Sequence, residues 1–362
     1  QKAMDAVAGV DLNPFAVAIS RFRLFVAALQ ASRVQRLVNA HDFKVHVAIG
    51  DSLLHGTRFG LTQSQELFDA AESHADTGLA HAYASEDLAE VQRILGRQYH
   101  AVVGNPPYIV VKDAALNAAY RRKYASCHMK YSLGAPFTER FFDVALTGNG
   151  RPAGFGGLIT ANSFMKRGFG SKLIEQVLPR LDLTHVVDTS GAYIPGHGTP
   201  TVILLGRHCA PVAAEVRTVM GIKGEPSAPL DPAQGLVWSA IVRQIDHAGS
   251  ESDFVSVADT PRAALAKPPW SVGGGGAADV KESIESVSTD VFGSKATDMG
   301  FFGILAADEV MLADWSALTR RGVEPRFTRP MVVGDLVRDW AITPAEAALF
   351  PYNDQELVPL ED

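Results

Sequence analysis

The first 110 residues alternate short apolar runs with longer stretches of helical period, as strands and helices taking turns would. Val7 to Asp11 reads as a strand ending in an acid, and Asn13-Pro14 supplies a capping side chain followed by proline at the first helical position. The following helix carries Phe15, Ala18, Ile19, Phe22, Phe25, Val26 and Leu29 at steps of three and four, which predicts one buried stripe with Arg21 and Arg23 off it. Lys44 to Ile49 alternates polar and apolar and runs into Gly50-Asp51-Ser52. Thr57 to Leu95 is polar and alanine-rich, read as helical with an irregular middle near Asp76 to Gly78. Ala101 to Val103 is a third strand, stopped by Gly104-Asn105-Pro106-Pro107-Tyr108.

Strands alternating with helices imply an α/β fold with a mainly parallel sheet, whose ligands sit at the carboxyl ends of the strands. Three such ends carry Asp11, Asp51 and Asn105. Gly156 to Ala161, His185 to Asp188 and Val202 to Leu205 read as further buried strands, the last two joined by a Gly/Pro-rich loop from Gly191 to Pro200. The pattern weakens from Glu215 to Ala258, and Lys267 to Ala278 is a turn-and-linker segment. The expected division is a catalytic domain over 1–215, a connecting region with its linker over 216–280, and a C-terminal region over 281–362. That last region holds short apolar stretches, Phe301 to Leu305 and Met331 to Val333, and the basic set Arg320, Arg321, Arg326 and Arg329. No internal repeat is found.

Composition narrows the classes. With 33 Lys and Arg against 40 Asp and Glu, the net charge of −7 on 362 residues argues against a uniformly basic binder, but leaves room for one local positive face. Cys127 and Cys209 form no CxxC pair, which excludes a disulfide framework and a cysteine-rich zinc site and fits a reducing cytoplasm. No apolar run is read as approaching the 18 or so residues of a spanning helix, so no membrane is expected as partner. The sequence opens on Gln1 immediately before a strand, which reads as an interior piece of a longer chain.

The Asn-Pro-Pro-Tyr corner suits group transfer to a planar amino nitrogen. The lone pair of such an amine is delocalised, and two acceptors aimed at its hydrogens favour the pyramidal geometry of attack. Asn105 offers a side-chain carbonyl and Pro106 a main-chain one; Pro107 helps to stiffen the backbone, and Tyr108 can stack on a ring. Taken alone, the string is equally a rigid turn, and either aspartate alone is a helix cap. Three in register are harder to explain that way. A carboxylate at Asp11 suits ribose hydroxyls, and one at Asp51 an adenine amine.

The chain resembles the S-adenosylmethionine-dependent DNA adenine-N6 methyltransferases of the gamma type. AGVDLNPFAVAISRFRL, IGDSLL and YHAVVGNPPYI carry the likeness, followed by YRRKYASCHMKYSLGAPFTERF, GLITANSFMKRGFGSKL and VVDTSGAYIPGHGTPTVILLGR. MVVGDLVRDWAI and LFPY resemble the entry to the target-recognition region. The combination is most similar to the large methyltransferases of BREX-type phage growth limitation systems and to fused type II restriction-modification enzymes. The resemblance implies a Rossmann-like class I methyltransferase domain followed by a partial C-terminal target-recognition region. It implies that Asp11 holds the cofactor ribose with Leu12 also at the cofactor, that Asp51 and Ser52 lie near its adenine, and that Asn105, Pro106, Pro107 and Tyr108 bind a flipped adenine, with Asn105 also beside the cofactor. Tyr193 would face the other side of that base. Flipping costs a few kcal/mol, so double-stranded DNA must be gripped; Lys112, Arg121, Arg122, Lys123, Lys130, Lys166 and Arg167 are the candidates, each also readable as a solvated helix face. Other proteins of a defence system are possible partners.

That family's first motif, an acidic strand end with a Gly-x-Gly loop, belongs before Asp11 and is not in this sequence. The expectation is that 1–362 alone binds cofactor weakly and is inactive. Cytosine-C5 chemistry lacks its Pro-Cys pair, zinc chemistry lacks HExxH and a deaminase signature, no GxxxxGK[ST] loop occurs, and His185 and His208 read as structural. Two alternatives stay open: methylation of a protein glutamine, whose amide is also planar, and a non-catalytic DNA-binding subunit.

Overall fold

The computed structural model describes residues 1–34, 36–40, 42–61, 86–148, 150–196, 198–270, 274, 276–290, 292–295, 311–332, 337–338, 341–342 and 346–352. The chain divides into two units, Gln1–Val287 and Ser288–Asp362.

In the first unit, β1 (Ala8–Asp11) pairs in parallel with β2 (His46–Ile49). A separate six-stranded sheet contains β3 (Ala101–Gly104), β4 (Phe155–Ala161), β5 (Asp182–Asp188), β6 (Thr201–Arg207), β7 (Glu215–Gly221) and β8 (Val255–Pro261), in the order β3-β4-β6-β5-β7-β8. Strands β3, β4, β5 and β7 run one way, and β6 and β8 run against them. The α/β expectation holds, with a sheet mostly parallel in strand direction and β6 reversed between β4 and β5.

Local chemistry sets the helix starts. Asn13 caps α1 (Pro14–Ala31), its side chain accepting from Phe15 N, with proline in the first turn. Asp87 caps α2 (Leu88–Leu95) and Asp113 caps α3 (Ala114–Lys123). Helix α4 (Gly134–Asp143) lies on the sheet so closely that a Cβ on Gly156 would sit 2.6 Å from the Phe142 ring; glycine is what permits the approach. Phe142, Leu158, Leu183, Val186 and Leu204 form the core there. The β1–β2 pair has its own small core with α2, from Ala48, Val91, Ile94 and Leu95, with Tyr99 packed against it.

Three sequence readings change. The stripe predicted on α1 is covered only in part: Phe15 is 78% exposed and Ala18, Ile19 and Phe22 are also exposed, Phe25, Val26 and Leu29 are half-buried, and the buried residue is Val17. Periodicity marks a face that can be covered, and here α1 packs on β1 and β2 while Phe25 meets the Phe43 ring edge-on. Helix α1 is also long and apolar enough, by length and composition, to cross a membrane, which corrects the reading that no run approaches that length. Arg21 and Arg23 lie near its middle, however, and Arg21 Nε donates to Val47 O at 2.8 Å, tying the helix to β2. An arginine at the centre of a spanning helix costs about 2.5–3.5 kcal/mol. Finally, the connecting region read over 216–280 is built into the sheet: β7 pairs with β5 and β8, and α5 (Leu236–Gln244) packs through Val237 and Ile241 onto Val219, Val255 and Val257.

Among the described residues one edge each of β1 and β3 is open: β1 pairs only with β2 and β3 only with β4, and Val103 on β3 is 79% exposed.

The second unit holds an antiparallel sheet of β9 (Leu312–Asp314), β10 (Thr328–Met331) and β13 (Glu346–Leu349), with a ribbon of β11 (Val337–Arg338) and β12 (Ala341–Ile342). The stretches read at 62–85 and Phe301 to Leu305 lie outside the described residues, as does part of Met331 to Val333.

Candidate active site at the strand ends

The corner after β3 presents Asn105 at the surface with Pro106 buried beneath it and Pro107 exposed. The Tyr108 hydroxyl donates to Asn105 Oδ1 at 2.6 Å and lies 3.4 Å from Ile159 O on β4. Burial pushes the Tyr108 phenol above its ordinary value, so it remains a donor. The tyrosine is therefore more than a stacking surface, because its hydroxyl fixes the carbonyl of Asn105. A carbonyl oxygen has two lone pairs, and one remains for an amine.

Asp51, at the turn after β2, is held from three sides. Its Oδ1 accepts from Leu53 N at 2.8 Å and Leu54 N at 3.1 Å, and its Oδ2 accepts from the Tyr120 hydroxyl at 2.5 Å. Asp51 N donates to Glu86 Oε1 at 2.8 Å, and Glu86 Oε2 meets His55 Nε2 at 2.8 Å. One turn beyond Tyr120, Tyr124 donates to Leu53 O at 2.8 Å. Burial raises the Tyr120 phenol, with Asp51 adding to the effect, and pushes Tyr124 up to about 12. Helix α3, which follows the Asn-Pro-Pro-Tyr corner, thus also grips the Asp51 loop through two tyrosines. Asp11 and Leu12 are exposed at the end of β1, where Asp11 Oδ1 accepts from Asn13 N at 2.7 Å; Ser52 is half-buried.

Tyr120→Phe removes only the hydroxyl and leaves a buried carboxylate oxygen without its strongest donor. The expected loss is about 1–3 kcal/mol of unfolding free energy in urea titration. A midpoint unchanged from wild type would show the bond to be dispensable.

The basic candidates separate. Lys112, Arg122, Lys130, Lys166 and Arg167 are exposed, and Lys123 is half-buried. Arg121 is committed within the fold: it donates to Asn117 Oδ1, to Cys127 O at 3.0 Å and to Met129 O, and lies over the Tyr131 ring. Tyr193 stands exposed on the β5–β6 loop, at the end of the sheet where β3 and β4 also finish. Burial pushes the Cys127 thiol up to about 12, which suits a packed residue rather than a nucleophile. His208 is buried with Nδ1 3.0 Å from Ala145 O, and His185 Nδ1 lies 3.0 Å from Thr184 Oγ1. A cavity of about 250 Å³, lined by Leu178, Leu183, Val216, Leu265 and Trp270, lies by the start of β5, away from the corner.

Sequence reading missed Tyr120, Tyr124, Glu86 and Arg140. Only the tyrosines left a signal, four residues apart on one face of a helix.

The Eco57I restriction-modification methylase family matches over residues 5–194, more than half of the chain. The chain belongs to this family. Over 98% of its length it is 47% identical to the adenine-specific methyltransferase PglX of Streptomyces coelicolor, 30% of whose length it spans. A stretch of 26% of the chain is 34% identical to the type II methyltransferase M.XhoI of Xanthomonas vasicola, covering 17% of that protein. The chain therefore spans under a third of either curated relative. Similar solved structures include the type IIL restriction-modification enzyme MmeI in complex with DNA, at a TM-score of 0.47 and 10% identity over 98% of this chain and 39% of that one. The type IIG restriction endonuclease BpuSI has a TM-score of 0.35 at 14% identity, over 71% and 32%. The Eco57I match takes in all three strand-end residues and stops before β6, β7 and β8.

Proposed function

We propose that this chain is the core of an adenine-specific DNA methyltransferase, acting on the N6 amine of an adenine swung out of duplex DNA, in a restriction-modification or phage-defence setting. One observation carries the reading: Asn105 directly follows β3 with its side-chain oxygen fixed by Tyr108, in a chain 47% identical to a methyltransferase named for adenine. Asn105 Oδ1 and the Pro106 carbonyl would accept the two amine hydrogens and turn the nitrogen lone pair outward. The extra proton leaves to water after transfer. The Tyr108 ring would line the base pocket.

The residues fit S-adenosylmethionine at its ribose and adenine ends. Asp11, with Leu12 beside it, would accept from ribose hydroxyls. A carboxylate has about four acceptor positions; Leu53, Leu54 and Tyr120 take three at Asp51, leaving one for an adenine amine near Ser52. When bound, the cofactor supplies a methyl group on a sulfonium sulfur. We infer that the open edges of β1 and β3 receive the strand whose glycine loop holds the methionine end. Residues 1–362 alone are then expected to bind the cofactor weakly and transfer nothing, while the longer protein turns over. Calorimetry on both checks this, and equal affinity would contradict it.

Lys112, Arg122, Lys123, Lys130, Lys166 and Arg167 would meet phosphates, Arg121 and Tyr193 would border the target site, and residues 281–362 would begin the target-recognition region. A cytoplasmic setting with other defence proteins completes the proposal. The test is the full-length protein with labelled S-adenosylmethionine and either duplex DNA or a release-factor-like protein. Label in N6-methyladenine supports the reading; label in protein glutamine, or none, overturns it.

A further inference from the structure

Three loops meet at the carboxyl ends of β3 and β4: 105–111, 126–132 and 162–170. Leu133 N donates to Ile109 O at 2.9 Å, and a Cβ placed on Gly168 would lie 3.2 Å from Met129 Sδ. Met129 is unusual on this rim. Its φ of +50° is in the left-handed region, which costs a non-glycine residue roughly 1–2 kcal/mol, yet the residue is 60% exposed. Asparagine, aspartate or glycine is the ordinary choice at such a position. The conformation is maintained by Arg121, whose guanidinium donates to the carbonyls of Cys127 and Met129 and is itself anchored on Asn117 Oδ1 at 2.7 Å. The fold thus uses a buttressed arginine to hold an apolar tip in solvent. Beside that tip Lys130, Lys166 and Arg167 are exposed.

An unbranched apolar side chain flanked by cations, next to a corner that takes a planar amine, has the chemistry of the inside of a base stack between two phosphate strands. We propose that Met129 is the wedge that enters the duplex as the target adenine leaves it, with Lys130, Lys166 and Arg167 on the neighbouring phosphates. The inference rests on the DNA-adenine reading and adds the residue that holds the extruded state. Met129 forms no bond to the reacting atoms, so it acts on the flipping equilibrium alone. Its contribution should vanish when the base is already unstacked.

The experiment uses the full-length protein with Met129→Ala and Met129→Gly. Glycine relieves the backbone, so a loss shared by both variants comes from the side chain. Single-turnover methylation is measured on a paired duplex and on one whose target adenine faces an abasic site, and extrusion is read separately on a third duplex in which 2-aminopurine replaces the target adenine. Both variants are expected to lose about 10-fold on the paired duplex and under about 2-fold on the abasic one, with a weaker 2-aminopurine signal. Equal losses on the two substrates, or none on either, overturn the wedge. A wild-type protein that methylates no adenine in either duplex would instead sink the underlying reading along with it.

Discussion

Asn105→Ala in the full-length protein is expected to remove methyl transfer while leaving DNA binding within about 3-fold of wild type. The argument is one of charge development. As the amine nitrogen attacks, its hydrogens become more acidic, so an acceptor already aimed at them stabilises the transition state more than the bound substrate. Loss of one preorganised hydrogen-bonding group of this kind costs on the order of 10²–10³ in kcat. The oxygen is preorganised here because Tyr108 donates to it at 2.6 Å, and the two proline rings fix the backbone on either side of the neighbouring Pro106 carbonyl. Deletion of Asn105 also leaves the Tyr108 hydroxyl without that partner, which loosens the second wall of the pocket. Tyr108→Phe keeps the ring and releases Asn105, so it should fall between wild type and Asn105→Ala. Quenched-flow methylation with anisotropy on the same duplex separates kcat from binding. Undiminished turnover in Asn105→Ala would remove the corner from the chemistry.

What the sequence made legible was local. The cap at Asn13, the acid at the end of β1, the alternation into Asp51 and the proline corner are each set by residues within a few positions of one another. What it hid was tertiary. Tyr120 reaches Asp51 across 69 residues and Arg140 reaches the 52–57 loop across 83 to 88, and neither has a periodic signature tied to its partner. The stripe on α1 was legible as apolar, but burial depends on what packs against it. Strands β7 and β8 were missed for another reason: Arg217 and Asp259, which pair across them at 2.6 Å, make an alternating segment look like loop.

The largest effect on the fold is expected from Arg140→Met. Arg140, 2% exposed on α4, donates to Ser52 O at 3.1 Å, His55 O at 2.8 Å, Thr57 O at 2.7 Å and Asp143 Oδ2 at 3.1 Å. Beside it Arg58 pairs with Glu139 at 2.8 Å and with Asp143 at 3.4 Å. Two arginines thus balance two carboxylates in the interior. Methionine would fill most of the volume but leave a net negative charge and three carbonyls without their donor. Breaking a buried ionic network from one side typically costs about 3–5 kcal/mol, a large share of the roughly 5–15 kcal/mol that holds a domain together. Arg140→Lys keeps the charge, but one ammonium cannot reproduce the fork that spans three carbonyls and a carboxylate, so it should recover only part of the loss. Urea titration of the three proteins gives the order wild type, Lys, Met in falling stability. The carbonyls that Arg140 gathers flank the Asp51 turn, so the lysine variant, where it still folds, should also bind S-adenosylmethionine more weakly than wild type; unchanged affinity would mean that Asp51 is positioned by Tyr120 and its own turn alone.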